Sequence, residues 1–475
     1  MQQKSRTLIL ALAVCATSLP SIATSPHDTY LHSTVRDSWS ANEHFPSAME
    51  EGAEDVNARW WTSFGDTVLD SLIQIGINNN YDLAMAARRI EIARNQVRMT
   101  ASNYYPQIGL SAGYSRSRTS GATGSTVGPA SVGSAFAGTV TMSWEPDIFG
   151  KITAQTLRDK ASVAVSRAEY GGAMIALEAE IASTYLQLRS YQAQKAIADA
   201  HSVSQERIVH ITEVRHETGL ASMLDVAQAK TLYYSTQAQV PLLESSITAC
   251  LNSLGVLLAV SPDELPAQLR HLAPLPDCYH LVSVGVPMDL LRRRPDVVQA
   301  ERSIDVAAAA LGIARKEYLP SLTIDGSIGT QAHRVGDLFT NSSFTYSIAP
   351  TLSWTVFDGL HRRYNAANAR QQLENAVDSY NLTVLTAVEE VDNAMSRYLN
   401  NLRYIADLQL VVENSRKAEE LSIDLYKQGL TPFSNVVDAQ LNLLTYQNTL
   451  VTAQNNSLSA LVDLYKALGG GWSEK

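Results

Sequence analysis

The run Tyr104-Tyr105-Pro106-Gln107-Ile108 returns 214 residues later as Tyr318-Leu319-Pro320-Ser321-Leu322, and the match is not isolated. Ser143-Trp144 returns as Ser353-Trp354 and Gly219-Leu220 as Gly429-Leu430, both at an offset of 210. Upstream, Asp82, Ala86, Ile90 and Ala93 match Asp296, Ala300, Ile304 and Ala307 at 214. Each copy has the same order: helix, Tyr-x-Pro, strand, loop, strand, very long helix, Gly-Leu turn, helix. The 475 residues therefore read as one elongated unit written twice.

The strands come in two hairpins. Ile108, Leu110, Ala112 and Tyr114 alternate with Gly109, Ser111, Gly113 and Ser115, and the returning strand alternates Phe136, Val140, Met142 and Trp144 with small polar residues. The second copy does the same with Leu322, Ile324 and Ile328, then Phe344, Tyr346, Ile348, Leu352 and Trp354. Segments of about 10 residues with period-two hydrophobicity have the length and pattern of strands crossing an outer membrane. Trp144 and Trp354 close their strands, where aromatic girdles sit. The competing reading is a half-buried hairpin in a soluble sandwich. The Ser/Gly/Thr-rich stretch from Arg116 to Ser134 suits a surface loop on either reading. Four strands cannot close a barrel, and an open edge in lipid leaves backbone groups unpaired at a cost of several kcal/mol each. The chain must therefore oligomerise if its strands span a membrane. Two copies supply eight strands and three supply twelve, and the sequence does not choose between them.

From Ile148 to Val240 there is no proline, and beyond Gly150 the only punctuation is Gly171-Gly172 and Gly219. A continuous helix over 151–217 would extend roughly 100 Å at about 1.5 Å per residue. The second copy runs from Leu360 to Lys427 without proline, and Pro432 falls in the turn. Val384, Val388, Val391, Met395 and Tyr398 follow the 4-3 spacing of a coiled-coil-like seam. Pro241 predicts a kink in the first returning helix, with no counterpart in the second copy. Glu180 and Glu390 match at 210 and are read as a polar face turned to water.

Charged residues make up 18% of the chain and the formal net charge is -10, with no Lys/Arg stripe that would neutralise phosphates, so nucleic acid is excluded as a partner. The first residues read as an export signal: Lys4 and Arg6, then an apolar core from Leu8 to Ala16 too short to span a bilayer. Cleavage after Ala23 makes 1–23 a signal peptide. The alternative is a lipobox-like Leu12-Ala13-Val14-Cys15 that would leave Cys15 lipidated, although Val14 departs from the small residue expected there. No later stretch offers roughly 20 uninterrupted apolar residues. Cys250 and Cys278 either pair or remain free. The 10 histidines are scattered, no hydrolase or metalloprotease motif occurs, and Gly469-Gly470-Gly471 follows a helix instead of opening one. No catalytic, cofactor or metal site is read, and the chain is expected not to be an enzyme.

Leu291-Arg292-Arg293-Arg294-Pro295-Asp296-Val297 with Ala300-Glu301, the ending Tyr465-Lys466-Ala467-Leu468-Gly469-Gly470-Gly471-Trp472, and Trp60-Trp61 before Phe64 and Asp66 carry a family resemblance. The chain resembles the outer membrane factor (TolC-like) family, in particular its NodT-like branch, which accompanies RND-type tripartite efflux pumps. The resemblance implies an α+β membrane protein in the outer membrane of a Gram-negative-type bacterium. It implies a homotrimer whose four strands per chain join into a barrel of twelve, with long helical hairpins reaching into the periplasm. The first repeat is expected over 24–260, with a β-hairpin near 106–147 and a helical hairpin over 151–260. An equatorial linker is expected over 261–290 and a second repeat over 291–475, with its β-hairpin near 320–356 and helical hairpin near 360–468. Expected partners are a periplasmic adaptor, an inner-membrane RND-type pump and outer-membrane lipid. The implied function is an exit duct for substrates of that pump; a type I protein secretion channel and a periplasmic coiled-coil scaffold are the alternatives. By the same resemblance, Gly219, Leu220, Gly429, Leu430 and Thr431 would contact the adaptor at the helical tips. The family's two aperture aspartates fall on Asn435 and Asp438, and Asp225 is the first-copy counterpart of Asn435.

Overall fold

A computed structural model describes residues 59–120, 131–276 and 293–472. The signal segment, Cys15, Cys278 and positions 277–290 of the linker lie outside the described residues. After a 3-10 turn at Trp60–Phe64 come α1 (Thr67–Asn79), α2 (Tyr81–Ser102), β1 (Gln107–Thr119), β2 (Ser131–Trp144), α3 (Lys151–Glu217) and α4 (Met223–Leu258). The second half has α5 (Pro295–Lys316), β3 (Ser321–Ala332), β4 (Phe344–Ser353), α6 (His361–Lys427) and α7 (Phe433–Ala467).

The duplication is visible as matching physics. Helices α3 and α6 are each 67 residues long, so each extends about 100 Å at 1.5 Å per residue. Gly171-Gly172 does not interrupt α3; Gly171 is where the Trp472 ring packs flat on the helix, in space a Cβ would fill. At the strand ends, the Trp144 indole Nε1 donates to the Tyr104 carbonyl at 3.0 Å, and Trp354 donates to the Tyr318 carbonyl at 3.1 Å. Each long helix then opens under an aspartate. Asp147 accepts from the Ile152 and Thr153 backbone N–H groups at 2.9 and 2.8 Å and from the Thr153 hydroxyl at 2.6 Å. Partial burial opposes ionisation of Asp147, but these bonds outweigh it and hold the carboxyl below its ordinary value. In α6 the same office falls to Asp358, which accepts from the Arg362 backbone N–H at 3.2 Å and its Nε at 2.6 Å.

The wall of helices is one layer thick. α3 packs on α2, α4, α5 and α7, and α6 packs on α5 and α7. Val384, Val391, Met395 and Tyr398 of the predicted seam are buried, and Val388 packs half-buried beside them. α4 runs through Pro241 as a single 36-residue helix, so the proline does not end it, although it lacks the donor that would have met the Gln237 carbonyl.

The main core lies at mid-length of α3. Trp60, Leu69, Leu72 and Ile73 from the N-terminal segment meet Tyr185, Leu186 and Leu188 of α3, Leu254 and Leu258 of α4, and Leu458 and Leu461 of α7. Trp60 stacks on Tyr465 at 5.3 Å. Asp66 caps α1 through the Val68 N–H at 2.8 Å and accepts the Tyr185 hydroxyl. Buried Arg189 donates to the carbonyls of His271 at 2.8 Å and Gln268 at 3.3 Å, fastening the start of the linker to α3.

Glu178 is fully buried in this region, and neither its carboxyl oxygens nor the Trp60 indole N–H make a hydrogen bond of normal geometry. Burial pushes its carboxyl up to about 8, against a smaller opposing pull from the Trp60 indole. Unfolded, Glu178 ionises near 4.5, so the folded chain holds a proton that the unfolded chain releases. This contribution to stability is complete below that value and falls as pH rises towards 8. We expect the denaturation midpoint of the wild type to fall between these pH values, and that of Glu178→Gln to lose this slope. Parallel profiles for the two proteins would refute the assignment.

Candidate functional site

The four strands form one antiparallel sheet in the order β1-β2-β3-β4. The pairing of β2 with β3, Val140 opposite Ile328 and Trp144 opposite Ile324, joins the two repeats into a continuous surface. Because side chains alternate, the registers sort the residues onto two faces. One face carries Ile108, Leu110, Tyr114, Phe136, Val140, Met142, Ile324, Ile328, Tyr346, Ile348 and Leu352. The other carries Ser111, Thr139, Thr141, Ser143, Thr323, Asp325, Ser327, Ser347 and Thr351. The Ser143 hydroxyl donates to Asp325 at 2.7 Å across the β2–β3 pair on that polar face. Among the described residues no helix covers the apolar face: Leu110 is 83% exposed, Tyr346 75% and Ile348 73%. A sandwich would bury these residues, so the soluble-hairpin reading fails here.

At the far ends of the long helices the two tips are built alike. After α3, Gly219 takes φ 74, its N–H donates to the His216 carbonyl at 2.9 Å, and the Leu220 N–H reaches back to Arg215 at 2.8 Å. After α6, Gly429 takes φ 76, its N–H donates to Tyr426 at 3.0 Å, and the Leu430 N–H reaches Leu425 at 2.9 Å. Both are Schellman endings, which need a left-handed residue that only glycine supplies cheaply. They leave Leu220 and Leu430 projecting, 68% and 69% exposed.

The tips differ in how the returning helix starts. Ser222 and Asp225 form a capping box: the Asp225 N–H donates to the Ser222 hydroxyl at 3.2 Å and the Ser222 N–H to the Asp225 carboxylate at 3.3 Å. Asp225 is thus engaged in starting α4. In the second tip Pro432 takes the cap position, and Asn435 Nδ2 donates to the Thr431 hydroxyl at 2.7 Å. Asn435 and Asp438 lie exposed one turn apart on α7, and no direct bond links either to Asp225. Arg215 crosses between the tips, donating to the Lys427 carbonyl at 2.9 Å with its guanidinium 4.8 Å from the centre of the Tyr426 ring. Burial, with the nearby Asp225 charge, raises the Tyr426 phenol above its ordinary value.

A second polar assembly was not singled out as a site from sequence. Buried Arg294 donates to Asp296 at 2.7 and 3.0 Å, to Glu390 of α6 at 2.6 Å and to the Ala467 carbonyl at the end of α7 at 2.9 Å. One guanidinium therefore ties three helices together. Glu390 is a partner in this clasp and not simply a water-facing acid, whereas its repeat mate Glu180 is exposed. The Arg-Pro-Asp motif was the available signal, but its partner 96 residues away was not.

A profile of the family described as "Outer membrane efflux protein" matches residues 72–260 and 286–470. The chain belongs to that family. It is 30% identical over 432 residues to the toluene efflux pump outer membrane protein TtgF of Pseudomonas putida, covering 91% of this chain and 88% of the relative. It is 28% identical to nodulation protein T of Rhizobium leguminosarum, again covering 91% and 88%. The solved outer-membrane channel OprN superposes with a TM-score of 0.82 at 28% identity, covering 90% of this chain and 94% of that one. This member of the family is a TolC-like outer-membrane efflux channel with a long periplasmic extension. The family is one of ducts, not of enzymes.

Removing the guanidinium leaves Glu390, Asp296 and the end of α7 without their common donor. Because Asp296 and Glu390 are themselves about half exposed and stay solvated, we expect Arg294→Ala to cost about 1.5–3 kcal/mol, read by chemical denaturation, with Glu390→Gln costing less because Asp296 remains. Equal and negligible losses for both would show that the clasp holds nothing together.

Proposed function

We propose that three copies of the chain close into an exit duct, which receives substrates at its helical tips from an adaptor and an inner-membrane RND-type pump and releases them outside. The observation that carries this reading is the sheet itself. It is apolar and uncovered on one face and polar on the other, and the outer edges of β1 and β4 have no partner among the described residues. Lipid satisfies the apolar face and a water-filled lumen the polar one. Neighbouring copies satisfy the edges.

The helices support a head-to-tail arrangement. Along one side of the wall, Tyr81, Ile92 and Met99 of α2 and Tyr234, Leu242 and Val256 of α4 are exposed; along the other, Leu382, Tyr404, Leu410 and Leu421 of α6 are exposed. These are two different apolar surfaces, as a closed ring of heterologous contacts requires. They also account for α4, which is apolar and long enough to cross a membrane by composition yet lies mostly unburied. Its uncovered surface suits a helix of the next copy.

At the tips, Gly219, Leu220, Gly429, Leu430 and Thr431 are the surface offered to the adaptor. Asp438 and Asn435 project beside them, with Asp225 behind its capping box, and in a trimer they would ring the aperture. A ring of carboxylates at a constriction attracts cations. With asparagine at one position, the ring here depends on Asp438. TtgF is named for toluene, and small-molecule efflux is the reading adopted.

Purified protein is expected to require detergent, run as a trimer by light scattering and conduct ions in planar bilayers. A water-soluble monomer without conductance would end the proposal. Within a conducting trimer, Asp438→Ala is expected to weaken block by multivalent cations several-fold; unchanged block would remove the aperture assignment alone.

A further inference from the structure

We propose that Arg116 and Arg118 form a binding strip for the phosphate groups of outer-leaflet lipid at the external rim of the sheet. The inference rests on the reading that the apolar face meets lipid. β1 pairs Tyr114 with Phe136, Arg116 with Ser134 and Arg118 with Val132. Period two therefore puts both arginines on the face that carries Ile108, Leu110 and Tyr114, not on the polar face. The long helices leave from the Trp144 and Trp354 ends of the strands, so the arginines stand at the opposite, external end.

Their height suits a headgroup layer. Tyr114 and Phe136 pack with ring centres 4.7 Å apart and are the last aromatic pair on β1 and β2. Arg116 follows about 7 Å further along the strand and Arg118 about 13 Å, at roughly 3.3 Å per residue. For strands tilted near 40° this is about 5 and 10 Å above the aromatic level, where hydrocarbon has given way to phosphate. An arginine pointing outward in the apolar band would be costly, whereas here its stem can lie on apolar surface with the guanidinium among anions.

The local charge is unbalanced. Both arginines are exposed, and neither forms an ion pair among the described residues. Asp337 is the only acid at this end among the described residues, and the sequence of 121–130 contains none. Arg334 adds a third positive charge just beyond β3. Guanidinium groups bind phosphate oxygens in pairs, and two of them spaced one strand repeat apart match a lipid bearing more than one phosphate better than a zwitterion.

The test uses the full chain in detergent micelles, titrated with diphosphoryl lipid A and with the same glycolipid lacking both phosphates, and read by native mass spectrometry. The wild type is expected to prefer the phosphorylated lipid by about tenfold or more. Arg116→Gln/Arg118→Gln is expected to lose most of that preference and Arg116→Lys/Arg118→Lys to keep part of it. If the double glutamine variant does not fold, Arg118→Gln alone carries the comparison. Equal preference in wild type and variant overturns the proposal, as does full displacement of the lipid by inorganic phosphate, which would mark a simple anion site. If the wild type takes up neither lipid, the lipid-facing reading of the sheet fails instead.

Discussion

Within hydrocarbon no water is available to a backbone N–H or C=O, and each unpaired group costs several kcal/mol. That constraint governs the sheet. β2 and β3 are paired on both sides along most of their length, but among the described residues β1 and β4 each present an open row. A single chain is therefore incomplete as a membrane object, however well its helices pack. The equal lengths of α3 and α6 belong to the same requirement. Both helical hairpins start from one sheet, and only helices of equal reach bring both Gly-Leu tips to one level, where a ring of them can close.

A one-layer wall buries little, so cohesion has to be concentrated somewhere. It lies at mid-length, where Trp60, Tyr185, Leu258, Leu461 and Tyr465 meet, and where two arginines replace apolar packing. Arg189 holds the linker through backbone carbonyls, and Arg294 holds α5, α6 and the end of α7 through two carboxylates and a carbonyl. Guanidinium suits both places because it directs several donors in a plane and stays charged when buried. The Trp472 ring on Gly171, next to this belt, adds a close contact that requires the glycine.

Much of this was legible in the residues, for reasons that differ by element. Strand faces follow from alternation alone, so Ile108 to Tyr114 and Leu322 to Ile328 are assigned without a structure. The Gly219 and Gly429 turns are legible because a left-handed helix ending restricts the residue. The partners of Arg294 were not: ion pairs between distant helices leave no local pattern, and Glu390 looked like the mate of Glu180 although only one of them meets an arginine. Glu178, two positions from Glu180, is the acid that packing buries. Pro241 predicts a kink, and α4 runs on through it as one helix, since the loss of one hydrogen bond does not end a helix held along a neighbour.

Duplication also allows the copies to divide their tasks. The two tips share a backbone solution, because both must reverse direction in the same few residues. Their side chains diverge at the next turn. Ser222 and Asp225 satisfy the first N–H groups of α4, which ties a carboxylate to local structure. Pro432 brings no such side chain to α7, Asn435 bonds to Thr431, and Asp438 is left exposed. The charge at the second tip is thus free of any capping duty, while the charge at the first is engaged by the Ser222 N–H and hydroxyl. A duct built from alternating copies would present unequal tips around its entrance, with the acidic ones on α7, and this asymmetry follows from which copy kept its capping box.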